Sequence, residues 1–162
     1  MIHNFIQRCF NKLKCEIYRF FHPKIWGKSL QINGIPKIFG FNNLVLGKDI
    51  SINSNVYIQC GGGVHIGDNV TLSYGTTILT AGLDTNDYIR NSQMKYRKHI
   101  QKSVRIGKGT WIAANVTICP GAVIPEDSIV AAGSVVVGTL KEEKCLYGGI
   151  PAYKIKSINK KI

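Results

Sequence analysis

The sequence predicts an all-β chain, a parallel β-helix of six-residue repeats with an amphipathic helix before it and one long excursion loop within it. Three observations carry this prediction. Aliphatic residues recur every six positions, the recurrence breaks once over a polar stretch, and the first segment follows helical spacing instead.

The recurrence is clearest at Ile106, Ile112, Ile118, Ile124, Val130 and Val136. The next residue is mostly small: Gly107, Ala113, Cys119, Pro125, Ala131, Val137. The fifth place of each step is also small: Thr110, Val116, Ala122, Ser128, Ser134. Six residues turn an α-helix by about 600°, so such a period would wander around its surface. Three short strands per coil, each pointing one aliphatic side chain at a common axis, fit the period; six-residue repeats of this kind mark parallel β-helices. The same step links Leu46, Ile52 and Ile58, and again Ile66, Leu72 and Ile78. Eight residues separate Ile58 from Ile66, with Gly61, Gly62 and Gly63 taking up the excess at a corner. Glycine tolerates the left-handed backbone that such a corner demands.

From Ile78 to Ile106 the spacing is twenty-eight, which is not a multiple of six. The chain leaves the coil there and returns. The excursion covers about residues 83–103 and carries Asp84, Asn86, Asp87, Arg90, Lys95, Arg97, Lys98 and His99. Loops of this length inside compact domains are usually functional.

A single domain results, in three parts: residues 1–28 as helix and cap, 29–141 as β-helix with its loop, and 142–162 as closing segment and basic tail. An open β-helix end exposes unpaired backbone and needs a cover. Ile2, Phe5, Ile6, Cys9, Phe10, Leu13, Ile17, Phe20 and Phe21 fall on one helical face, and Pro23 ends the helix near Phe21 or His22. Arg8, Lys12, Lys14, Glu16 and Arg19 interrupt this segment too often for a signal peptide or a membrane span. It reads as a cap packed on the first coil, or as an interfacial helix at a membrane surface. Without an export signal the expected location is cytoplasmic, with peripheral contact at the inner membrane face as an option.

Cysteines at 9, 15, 60, 119 and 145 form no CxxC pair, and the count is odd, so neither a disulfide framework nor a zinc site is expected. The histidines, His3, His22, His65 and His99, are too scattered for a metal-dependent β-helix such as a γ-type carbonic anhydrase. The net charge of +12 concentrates in the first segment, the loop and the tail. No aromatic-interleaved basic stripe points to nucleic acid. The charge suits a phosphorylated cosubstrate, an anionic sugar polymer or an acidic membrane face.

The stretch "VRIGKGTWIAANVTICPGAVIPEDSIVAAGSVVVGTLKEEKCLYGGIPAYKIKSI" resembles the hexapeptide-repeat acyltransferases. Its most specific pieces are "IGKGTWIAANVTICPG", "AAGSVVV" and "GGIPAYKI", and the likeness runs from about Leu44 to Ile155, broken by the loop. Within that family it is similar to the galactoside and maltose O-acetyltransferases and to acetyltransferases of surface-polysaccharide synthesis. The resemblance implies a left-handed β-helix, a homotrimer, acetyl-coenzyme A as cosubstrate and no metal.

It also implies site residues. The place of the family's catalytic histidine falls on Leu83, which cannot accept a proton. His99, at the other end of the loop, is then the expected base, because the two ends of an excursion lie near each other. Asn53 matches an asparagine that contacts the acceptor, or is a stacked coil asparagine. Asp84 orients the base or binds a sugar hydroxyl, or is a turn aspartate. Trp111 matches a tryptophan beside the pantetheine groove, Ala114 and Ala132 match small residues lining it, and Lys156 matches a basic residue near the cosubstrate's phosphates. The family's "TK" after the "GS" run is replaced by Val137 and Gly138. The expected function is O-acetylation of a sugar hydroxyl in bacterial surface-polysaccharide assembly. N-acetylation of an amino sugar and a non-catalytic scaffold are the alternatives.

Overall fold

The computed structural model describes residues 2–22, 30–90 and 93–158, with helix side chains from Cys9 onward. Three parallel sheets form the faces of a triangular prism. Sheet 1 stacks Leu30–Ile32, Ile50–Ile52, Thr71–Leu72, Trp111–Ile112, Ile129–Val130 and Cys145–Gly149, then pairs the last antiparallel with Ala152–Ser157. Sheet 2 stacks Lys37–Phe39, Tyr57–Gln59, Thr77–Ile78, Thr117–Ile118 and Val135–Val136. Sheet 3 stacks Leu44–Leu46, Val64–Ile66, Val104–Ile106 and Val123–Ile124.

The six-residue recurrence becomes three columns at the axis. Ile32, Ile52, Leu72, Ile112 and Val130 are in register on sheet 1. Ile38, Ile58, Ile78, Ile118 and Val136 align on sheet 2. Leu46, Ile66, Ile106 and Ile124 align on sheet 3. All but Ile38 are buried. The small fifth-place residues turn inward at the corners, where several carry a hydroxyl that satisfies a corner carbonyl: Thr110 donates to Pro125 O (3.1 Å), Ser128 to Glu126 O (3.1 Å) and Ser134 to Ala131 O (2.7 Å).

Corners between sheets 3 and 1 place Asp49, Asn69, Gly109, Asp127 and Lys144 at φ between 53° and 67°. Corners between sheets 1 and 2 place Asn55, Gly75, Asn115 and Gly133 at φ between 56° and 71°. Asn, Asp and Gly tolerate this left-handed conformation best. Glycine is further favoured at positions 75 and 109, where a Cβ would make the side chains of Asn115 and Asp127 in the next coil shift.

Helix Ile2–Phe21 covers the first coil, but not with its apolar stripe. Cys15 joins the core, Tyr18 packs on it, and Arg19 donates to Leu30 O at the open strand edge. His22 stacks between Tyr18 and Phe41, at 4.2 and 4.8 Å between ring centroids. Phe10, Leu13, Ile17, Phe20 and Phe21 point to solvent, and Cys9 is exposed. The physical reason is that a coil end presents unpaired backbone as well as hydrocarbon, and Arg19 can answer both needs. At the opposite end Tyr147 is buried, its hydroxyl donating to Glu142 O (2.6 Å) and accepting from Glu142 N (3.0 Å).

Ile118→Ala removes a fully buried axis side chain and is expected to cost about 2–5 kcal/mol in urea unfolding. Val137→Ala, at a position 59% exposed, should stay within about 0.5 kcal/mol of the parent protein.

Candidate functional site

The excursion leaves sheet 2 after Ile78 and rejoins the prism at Val104. Its stem is an antiparallel pair, Ala81–Leu83 against His99–Gln101, with His99 directly opposite Leu83. Backbone bonds flank that pair on both sides, from Asp84 N to Lys98 O (2.9 Å) and from Lys102 N to Thr80 O (2.8 Å). Leu83 and His99 therefore form a non-hydrogen-bonded pair, the type whose Cα atoms approach to about 4.5 Å with side chains on one face. His99 is exposed, with no side-chain hydrogen bond among the described residues.

The stem is bolted to the prism through residues that sequence reasoning missed. Thr80 is fully buried; its hydroxyl donates to Gln59 O (2.8 Å) and accepts from Gly62 N (3.0 Å). Gln59 Oε1 accepts from Ala81 N (3.2 Å). The triple glycine is more than a tolerated insertion. A Cβ on Gly62 would lie 3.0 Å from Lys102 N and 3.1 Å from Thr80 Cβ, so the glycine corner is the seat on which the returning strand rests. No place in the six-residue pattern marks Thr80, and only the glycine run hinted at a close approach. Burial pushes the Cys60 thiol at this corner up to about 11, so it is inert at neutral pH.

Beyond the stem, Asp84 caps the helical turn Thr85–Tyr88, its Oδ1 accepting from Asn86 N (3.0 Å). Asp84 thus serves as a turn aspartate next to Leu83. Asp87 Oδ2 accepts from Lys98 N (2.8 Å), and the Arg97 guanidinium lies 3.8 Å from the Tyr88 ring centroid. Tyr88, Met94 and Tyr96 are exposed along the loop.

The other expected residues gather on a different corner, between sheets 1 and 2. Ala114 and Ala132 stack there in successive coils through the bond from Gly133 N to Ala114 O (2.9 Å). A Cβ on Gly133 would meet nothing within 4 Å, so this edge is open. Trp111, half-exposed on sheet 1, donates from Nε1 to Ser73 Oγ (2.9 Å). Asn53 accepts from Asn33 Nδ2 (3.0 Å) and donates to Leu72 O (3.1 Å), so its amide is engaged in coil stacking. Lys156 is exposed on the final strand, opposite Leu146. The His99 corner and the Trp111 corner are separated by one prism edge, roughly 15–20 Å for six extended residues. One protomer does not bring them together.

A separate groove of about 510 Å³ on sheet 3 is lined by His65, Arg105, Lys108, Asp68, Glu126 and Glu143 among others, with Lys108 paired to Glu126 at 3.0 Å. Its charges are mixed. Among the described residues no group of three or more metal-binding side chains assembles.

Comparison with known proteins agrees with this architecture. The bacterial transferase hexapeptide family (six repeats) matches residues 103–138. Galactoside O-acetyltransferase of Escherichia coli is 29% identical over 125 residues, which are 76% of this chain and 59% of that protein. The chain thus spans about three fifths of the length of this curated relative. A hexapeptide-repeat acetyltransferase of Vibrio cholerae, solved with acetyl-coenzyme A, superposes with a TM-score of 0.75 at 28% identity, covering 90% of this chain and 79% of that one. A maltose O-acetyltransferase of Clostridium difficile gives 0.71 at 25% identity, covering 82% and 68%.

Thr80→Val keeps the shape of the buried side chain and removes both of its hydrogen bonds. It is expected to loosen the stem by about 1–3 kcal/mol. Hydrogen exchange at residues 99–102 should accelerate roughly tenfold or more, while exchange in the coils after Ile112 stays unchanged.

Proposed function

Because the chain carries the bacterial transferase hexapeptide repeat on the fold of hexapeptide-repeat acetyltransferases, we propose that it transfers an acetyl group from acetyl-coenzyme A to a sugar hydroxyl. In this reading the reaction belongs to bacterial surface-polysaccharide assembly on the cytoplasmic side. The observation that carries it is the pairing of His99 with Leu83. Where the resemblance expects a histidine, the chain has leucine, and the cross-strand neighbour on the same hairpin face is the imidazole.

The residues present fit the cosubstrate. A pantetheine arm is narrow and extended, and the edge formed by Ala114, Ala132 and the open Gly133 leaves it a smooth path. The Trp111 indole, held by Ser73, forms a flat wall beside that path. Lys156 supplies exposed positive charge for the phosphates.

His99 works as the general base. Its neutral imidazole takes the hydroxyl proton as the sugar oxygen bonds to the thioester carbonyl carbon. When the carbon–sulfur bond breaks, the thiolate leaves and the imidazolium returns the proton to it. The products are a sugar acetate and the free thiol. Coenzyme A brings the activated acyl group, so the protein supplies alignment and one proton relay.

Separation of the two corners gives the reading its quaternary form. Three copies side by side, as the resemblance implies, set the His99 hairpin of one protomer against the Trp111 corner of the next. Asn53 in this arrangement acts on the acceptor only indirectly, by holding the corner, while Asp84 fixes the loop beside Leu83. Leucine at position 83 also favours a second reading, N-acetylation of an amino sugar, since an amine needs less help from a base. A thiol-release assay run in parallel on hydroxyl and amino acceptors separates the two.

His99→Ala should lower turnover by roughly 10²–10⁴ with the fold intact; unchanged turnover removes His99 from the role. Ala132→Trp, which fills the edge, should abolish acetyl-coenzyme A binding measured by calorimetry. Co-expressed with the His99→Ala chain, it should regain part of the activity, because mixed assemblies contain intact His99–Ala132 pairs. Absence of any recovery would mean that each site lies within one protomer.

A further inference from the structure

We propose that the N-terminal helix docks the protein on an anionic lipid surface. The proposal stands on the helix alone and does not depend on the reading of the loop.

Residues two apart on an α-helix point about 200° away from each other. Cys15, which faces the core, is therefore nearly opposite Leu13 and Ile17, which face solvent. The same holds for Tyr18 against Phe20 and for Arg19, bonded to Leu30 O, against Phe21; Phe10, nine residues before Arg19, is opposite it as well. The side of the helix that grips the first coil is thus the back of an apolar stripe. Phe20 and Phe21 are each 71% exposed, Phe10 59%, Leu13 58% and Ile17 50%. Five large apolar side chains on one ridge exceed the isolated exposed residues normal on a soluble surface.

The flanks of the ridge identify its occupant. Lys14 borders the ridge beside Phe21 and is exposed. Lysines bordering an apolar stripe can lay their stems along it and send their ammonium groups to lipid phosphates. The one acidic residue of the helix, Glu16, is paired with Arg19 at 3.0 Å and adds no unpaired negative charge near the ridge. A chain of net charge +12 has the same electrostatic preference for an anionic face. A second copy of the same basic ridge would set lysines against lysines, which disfavours self-association through it. No described helix is long and apolar enough to cross a bilayer; in the proposal the helix lies in the interface plane with its ridge toward the lipid.

The test uses the full chain and vesicles of equal parts phosphatidylglycerol and phosphatidylcholine, with pure phosphatidylcholine vesicles beside them. The chain is expected to sediment with the anionic vesicles, much less with the zwitterionic ones, and less at high salt. Ile17→Glu, at an exposed position, should leave the melting temperature unchanged and weaken vesicle binding by about tenfold or more. Lys14→Glu should weaken it roughly fivefold or more. No sedimentation with anionic vesicles, or binding equal for Ile17→Glu and the parent chain, would overturn the proposal. So would a change in oligomeric state of Ile17→Glu in vesicle-free sedimentation velocity, which would assign the ridge to contact between copies.

Discussion

Each coil of the prism is tied to the next by backbone bonds, some N–H groups donating to the coil that follows and others to the one before. Ser51 donates to Val70 O, Thr71 to Thr110 O, and Trp111 to Ser128 O, all at 2.9–3.0 Å. This in-register ladder permits one coil shape only. A residue inserted into a strand would shift every later side chain to the wrong face. Variation is therefore forced out through the corners, and the largest variation, the excursion between Ile78 and Val104, leaves at a corner and returns to the same one. Because its two ends are tied to adjacent points of the ladder, they must pair, and that pairing brings His99 opposite Leu83.

The same ladder separates the chemistry. A column of like residues can line one edge from end to end, which suits the grip on an extended molecule, but one protomer cannot fold that edge onto another. In its last two coils that edge carries the small residues Ala114 and Ala132, next to Tyr74, and the titratable group sits at the next corner. A rigid prism of this kind gains a complete site only by lying beside something else. In the proposed reading that neighbour is a second copy of the chain.

The axis was legible in the sequence because burial there has a strict period, and each of Ile106, Ile112, Ile118 and Ile124 stands where its spacing put it. The excursion was legible as an interruption of that period. Thr80 was not, since its two hydrogen bonds join segments about twenty residues apart and leave no local trace. The role of Gly62 as a seat was hidden for the same reason. The helix gives the sharpest lesson. Its amphipathic pattern told which side is apolar, not which side is covered, and the coil end recruited Cys15, Tyr18, Arg19 and His22 instead. Asn53 shows how the coils use such residues, its amide accepting from Asn33 and donating to Leu72 O.

The excursion is fastened at its stem by Thr80, Gln59 and the glycine seat, all of which lie below position 84 or above position 98. The described residues of the tip between them contribute nothing to the axis. It resembles a tool head on a fixed handle: residues 84–90 and 93–98 are open to replacement, lengthening or exchange without disturbing the ladder. In the proposed reading, drift in the tip would let a lineage sample new acceptors one loop at a time while the edge assigned to the donor is inherited unchanged.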